Sequence, residues 1–325
     1  MKLAERALAL RPRNEDVQTT LFQLQAQHDD WAGARSTLAA ALRAGNLPRD
    51  VHRRRDAILA LAHARDAMAD GKIEEAAQTA ANANRMAPAL IPAAVMAARL
   101  AIADGKPKVA QKIVRDAWAA EPHPDLAAAF AEIVPGESPA DRLKRFRLLL
   151  SKHPGHPEIR LLEAELQIAA EDFPAARRAL GDLAETAPSA RSLTIMAAIE
   201  RGEGSEDRVV QAWLARAVTA PRGAQWLCDN CGHVQAEWRP LCKSCNSFDS
   251  LSWQEVEQSE AALAGPSHML PLIIGRLEDR RDTEADTDMT EDADVVVEAG
   301  DADAPNPAKA AETPEDTDTA APPRN

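Results

Sequence analysis

All four cysteines of this 325-residue chain fall between Cys228 and Cys245. They form two pairs, Cys228-Asp-Asn-Cys231 and Cys242-Lys-Ser-Cys245, separated by the ten residues from Gly232 to Leu241. A C-x-x-C turn points both sulfurs to one side, and its first residues offer backbone N–H groups to them. Two such knuckles facing each other set four thiolates at the corners of a tetrahedron and close a four-coordinate metal site. Cys228, Cys231, Cys242 and Cys245 are therefore the expected ligands, with no open position for a substrate. Two disulfides would use the same residues, but no secretory signal precedes them and the rest of the chain has no cysteine, a pattern that suits a reducing compartment. A thioredoxin-type pair would need a βαβ setting, which the sequence around Cys228 does not offer. His233, just beyond the first knuckle, reads as a solvated turn residue rather than a fifth ligand.

The elements that must position these thiolates are helical. Apolar residues make up 45% of the chain, chiefly alanine with leucine next, while aromatics are 3% and tyrosine is absent. That is a composition for closely packed helices rather than sheets. Prolines recur at Pro88, Pro122, Pro154, Pro188 and Pro221, at separations of 34, 32, 34 and 33. Twelve residues before each stand Ala76, Ala110, Arg142, Ala176 and Val209, and eight before stand Ala80, Val114, Phe146, Leu180 and Trp213. This is the second-helix half of the 34-residue tetratricopeptide pattern. A further twelve upstream, where a small residue lets two helices cross closely, come Ala64, Ala98, Phe130, Ala164 and Ala197. The proline then stops the second helix and starts the next unit.

An earlier unit spans about Glu15 to Pro48, with its second helix opening at Asp30-Trp31 and carrying Ala34 and Leu38. Before it, Leu3 to Pro12 reads as a second helix lacking its first, with Ala4 and Leu8 in the repeat positions. The expectation is that the chain starts inside a repeat and that an N-terminal segment is missing.

Three regions follow: repeats over 1–222, the four-cysteine module over 223–256, and a linker with a disordered acidic tail over 257–325. Trp226, Trp238 and Trp253 bracket the cysteines as packing residues, since a unit of about thirty residues cannot build a core alone. The short connection at Arg222-Gly223 implies that the module packs on the last repeat. Of the net charge of −13, −11 resides between Arg276 and Asn325, with 16 acidic against 5 basic residues. The remainder is nearly neutral and carries no electrostatic footprint for nucleic acid. No stretch approaches eighteen apolar residues, and the run Met269–Ile274 is far too short to span a bilayer. Phosphate loops, nucleophile elbows, H-E-x-x-H and paired catalytic carboxylates are missing from the sequence. His28, His52, His63, His123, His153, His156 and His268 are scattered, and the Arg53-Arg54-Arg55 run reads as a solvated helix face.

Degenerate tetratricopeptide repeats followed by W-L-C-D-N-C-G-H-V and W-R-P-L-C-K-S-C-N-S-F-D-S-L-S-W, from Trp226 to Trp253, resemble the C-terminal region of alphaproteobacterial HemY-family proteins. The same order of parts also resembles the lipopolysaccharide assembly protein B family, whose terminal module is rubredoxin-like. The first resemblance implies a non-catalytic scaffold at the cytoplasmic face of the inner membrane, serving haem biosynthesis and binding its enzymes. The second implies an adaptor that delivers a client to a membrane protease and so regulates envelope lipid synthesis. Both families begin with transmembrane helices, so membrane attachment would come only through the missing N-terminal segment. Asn246 stands where rubredoxins usually have glycine, which favours structural zinc over redox iron. An iron-holding electron carrier is the reading from a different class. The fold expected is an all-α solenoid of about six tetratricopeptide-like hairpins, followed by a zinc-ribbon or rubredoxin-like module, with proteins bound in the concave groove.

Overall fold

The computed structural model describes residues 1–256; the expected linker and acidic tail over 257–325, with its Met269–Ile274 run, lie outside the described residues. A lone helix, α1 (Lys2–Leu10), precedes six antiparallel hairpins. These are α2 (Glu15–Gln27) with α3 (Trp31–Ala44), α4 (Arg49–Ala69) with α5 (Ile73–Met86), and α6 (Ile91–Ala103) with α7 (Pro107–Trp118). There follow α8 (Pro124–Glu132) with α9 (Pro139–Leu150), and α10 (Pro157–Ala169) with α11 (Phe173–Leu180) and a short continuation, α12 (Leu183–Thr186). The last hairpin is α13 (Ala190–Gly202) with α14 (Asp207–Thr219). The chain closes with β1 (Ala224–Cys228), β2 (Val234–Gln235) and β3 (Leu251–Glu255) in one antiparallel sheet of order β2-β1-β3.

The repeat period reappears in local chemistry. Turns inside the hairpins place Asp29, Gly71, Gly105, Glu171 and Gly204 at positive φ, and glycine takes that conformation without strain. Helix starts are capped by side chains: Asn14 accepts from Val17 N, Asp30 from Gly33 N and Asp172 from Ala175 N. Two caps are unusual. His123 and His156 each stand before a proline, and each accepts through Nδ1 from the N–H two residues on, Asp125 and Glu158. Proline at the first helical position has no N–H to leave unpaired, so the imidazole serves the next free donor.

The small residues expected at helix crossings are buried: Ala64, Ala98 and Ala164 are fully so, and Ala197 is 2% exposed. Alanine at these points brings the backbones together and spreads the core over many close interfaces. The fourth hairpin departs from this rule. Phe130 meets Phe146 edge to face at 4.9 Å, filling a wider crossing between α8 and α9. Arg145 lies over both rings at 4.6 and 5.2 Å and, with Arg142, pairs with the buried carboxylate of Glu137. The last hairpin keeps the pattern less strictly. Val210 and Ala217 are buried, whereas Val209 and Trp213 are half-buried, with Arg216 4.5 Å over the indole.

The module does not cap the last repeat, as its short connection had suggested. After α14 the chain turns back: Pro221 O accepts from Ala190 N at 2.7 Å, and Gly223 adopts φ 85°. The sheet then runs along the face built by the first helices of the hairpins. Trp226, Trp238, Leu251, Cys228 and Cys242 share one buried cluster with the alanines of α4, α5 and α6. Phe248 reaches Phe22 on α2, Asp249 reaches Arg54 on α4, and Trp226 and Trp253 reach His123 before α8. A module of about thirty residues that touches four successive hairpins must lie in a surface that curves around it. The physical reason is the one that made the module incapable of folding alone: its few apolar side chains find their core in the alanine stripe of the repeats. The groove expected to hold a partner is therefore occupied, over most of its length, by the chain itself.

Candidate metal centre

The two knuckles are built alike. In the first, Cys228 N donates to His233 O and Gly232 N to Cys228 O, with Gly232 at φ 69°. In the second, Cys242 N donates to Ser247 O and Asn246 N to Cys242 O, with Asn246 at φ 55°. Asn246 therefore occupies the left-handed position that Gly232 holds in its counterpart. A polar side chain able to bond locally makes asparagine the next most tolerant residue after glycine there.

These turns bring the four sulfurs together. Cys228 Sγ lies 3.7 Å from Cys245 Sγ, Cys231 Sγ lies 3.7 Å from Cys242 Sγ, and all four are within 4.8 Å of one another. A tetrahedral ion with metal–sulfur bonds of about 2.3 Å requires sulfurs about 3.8 Å apart, so the spacing matches. The same spacing is far beyond the ~2.05 Å of a disulfide, and all four cysteines are free. Polar groups surround the sulfurs. Ser250 Oγ is 3.3 Å from Cys228 Sγ, Asn230 Nδ2 donates to Cys245 Sγ at 3.4 Å, and Ser244 N donates to Cys242 Sγ at 3.4 Å.

The electrostatics show why the cluster suits a cation. Burial raises the Cys228 thiol, but the Ser250 hydroxyl and the Cys231 and Asn230 amides outweigh it and bring it down to about 6. Cys231 receives the His233 amide, yet desolvation and the three neighbouring thiols push it up to about 11. Negative charge gathered on one sulfur thus opposes charge on the next, and only a positive ion lets all four ionise together. Zinc and iron both accept four thiolates, and the cluster could hold either. With four protein sulfurs the coordination sphere is full. An ion held by all four would keep no open coordination position.

Its surroundings tie it to both sheet and repeats. Asp229, inside the first knuckle, donates through N to Ser250 O and accepts from Ser252 Oγ at 2.6 Å and Gln254 Nε2 at 3.1 Å. Cys228 and Cys242 face the repeats and are buried, whereas Cys231 is exposed and Cys245 partly so. His233 contributes its backbone only and joins no metal cluster among the described residues.

Two features escaped the sequence reading. The arginine run is largely exposed, as expected, but each of its side chains has a partner. Arg54 makes a bidentate pair with Asp249 at 2.8–3.0 Å, Arg55 stands 5.7 Å over the Phe22 ring, and Arg53 donates to Met86 O. His123 is fully buried with its ring centroid 4.3 Å from that of Trp253 and 5.4 Å from that of Trp226. Burial holds it down to about 4, against a smaller opposing pull from Asp125, so it is neutral in the module–repeat seam. The recurrence of His-Pro-acid at 123–125 and 156–158 could have signalled a capping role, but nothing local announced the indoles.

Fold and cluster together define a region of tetratricopeptide-like helical hairpins followed by a small three-stranded module with four clustered cysteines. Comparison with known proteins agrees on the repeats. A family model described as tetratricopeptide repeat matches residues 140–199. Among solved structures, a tetratricopeptide repeat protein from Parabacteroides merdae is similar at 16% identity with a TM-score of 0.32, over 66% of this chain and 90% of that one. No curated protein matches the chain. Among the described residues no helix is long and apolar enough to cross a membrane.

Proposed function

We propose that the protein is a non-catalytic adaptor that binds other proteins through its repeats, and that its four cysteines hold one structural zinc ion. The observation that carries this reading is the seating of a closed four-sulfur cluster in the face of the helical hairpins. Such a site has no position for substrate, so its bonds stabilise the surface beneath it instead of performing a reaction. Cys228, Cys231, Cys242 and Cys245 would each supply a thiolate, and Ser250, Asn230 and the knuckle amides would orient and hydrogen-bond the sulfurs. The zinc would supply the positive charge that joins the two knuckles. Iron in the same cluster would instead make an electron carrier. The resemblance of Trp226–Trp253 to the HemY-type module supports partners among haem-biosynthetic enzymes and a place at the cytoplasmic face of the inner membrane. The lipopolysaccharide assembly resemblance supports a protease or its client instead.

Metal analysis and an optical spectrum of the chain, purified without added metal, separate zinc from iron. One equivalent of zinc with no thiolate-to-iron absorption is expected; coloured, redox-active protein would establish the carrier. Binding of the purified chain to isolated porphyrin-pathway enzymes, measured by titration, tests the partner class. Lack of binding to all of them would overturn the haem reading.

A further inference from the structure

Three features of the seam between module and repeats go beyond holding a metal. The seam is edged by open clefts of about 260, 320 and 450 Å³, each lined by both the module and the repeats. It also buries polar atoms without partners, His123 Nε2 and both amide atoms of Gln235. Gln235 is the cross-strand neighbour of Trp226, and such neighbours share a face of the sheet, so it looks toward the same seam. Groups of this kind lose water when the module seats and regain it when the module lifts.

The third feature is what holds the module down. Phe248 and Asp249 are consecutive, and each meets the repeats through a matched partner. Phe248 meets Phe22 edge to face at 4.9 Å, and Asp249 accepts both arms of Arg54, which is itself half exposed. This pair directly follows the second knuckle, and its backbone is fixed from there: Leu241 bridges Phe248, and Asp249 N donates to Pro240 O at φ 54°. Its geometry thus depends on a knuckle that a metal ion would close. Three successive arginines on the repeat side make the complementary charge.

We propose that the inner face of the hairpins is the partner-binding surface, that Phe248 and Asp249 occupy it in cis in place of an aromatic–acidic pair from a partner protein, and that the bound metal keeps them there. The proposal rests on the adaptor and metal readings above. Loss of the ion frees the knuckles, and a module with no core of its own leaves the surface. Phe22, Arg54 and Arg55 are then uncovered for a segment of the same chemistry. Cys231, at the exposed corner of the cluster, is where a chelator or competing metal site gains access.

The test uses the full chain in three forms: zinc-loaded, chelated in the presence of reductant, and zinc-loaded Asp249→Ala. The probe is a fluorescent peptide of residues 246–251, with a control in which its Phe and Asp are both alanine. Chelation is expected to raise amide exchange in α2 and α4 about tenfold or more while α13 and α14 keep their protection. The chelated chain should bind the peptide at least about tenfold more tightly than the zinc-loaded parent, and zinc-loaded Asp249→Ala about two- to fivefold more tightly; neither should bind the control. Equal peptide binding by all three forms overturns the proposal. Exchange that rises evenly through every hairpin also overturns it, because the module would then be part of a single core. A chain that takes up no metal would refute the metal reading alone, and the comparison of Asp249→Ala with the parent would still decide whether this surface binds the pair.

Discussion

Acidification should loosen the seam through His123, by an amount that can be worked out. A histidine whose folded pKa is depressed binds fewer protons folded than unfolded. Its contribution is therefore complete above its ordinary value and is lost as pH falls toward the folded one. Here the ordinary value is 6.5 and the folded one about 4, the buried ring being opposed only weakly by Asp125. The full difference corresponds to about 3.4 kcal/mol, reached only below pH 4, and about 1.4 kcal/mol of it is lost by pH 5.5. The matching control is His123→Asn, since asparagine can still cap α8 but has no proton to gain in this range. Urea unfolding of zinc-loaded parent and variant at pH 7.5 and pH 5.5, followed by tryptophan fluorescence, gives the comparison. Other groups titrate in both proteins and cancel in the difference. The parent should lose about 1–1.5 kcal/mol more than the variant over this interval. Parallel losses would show that His123 is hydrated or charged in the folded protein, and the account of the seam would fail with it.

Three other outcomes follow from the packing. Phe130→Ala should cost about 3–5 kcal/mol by thermal or urea unfolding, because no small-residue crossing stands ready to close the space between α8 and α9. Ala98→Leu, at a fully buried crossing, should cost about 1–3 kcal/mol by forcing α6 away from its neighbour. A double-mutant cycle on Arg54 and Asp249 should give a coupling of about 0.5–1 kcal/mol that shrinks in 1 M salt, since the arginine is 48% exposed. A salt-independent coupling would mean that the pair is drier than its exposure indicates.

The sequence revealed what is periodic or compact in the chain. Alanines at crossings, prolines at unit boundaries and the four cysteines each make a pattern within a few dozen residues, and the structure places them as those patterns require. What could not be read was the module's seat. Phe22 with Phe248 and Arg54 with Asp249 are pairings of single residues at great separation, with no spacing rule to announce them. Arg54 therefore looked like any helix-surface arginine. A linker of a few residues suggested the nearest repeat as neighbour, yet the alanine stripe further back offered the indoles more surface to cover. Likewise the histidine before Pro124 read as an ordinary turn residue because the rings that enclose it come a hundred residues later.

The distance between Arg54 and Asp249, 195 residues along the chain, also has a meaning in time. Ribosomes extend a chain at about 5–20 residues per second, so about 10–40 s separate the synthesis of the two. The hairpins pair with sequence neighbours and can fold as they emerge, but for that interval their inner face has no cover. A nascent chain therefore exposes the surface that the finished, metal-loaded protein keeps closed, and any factor that meets it on the ribosome meets it open.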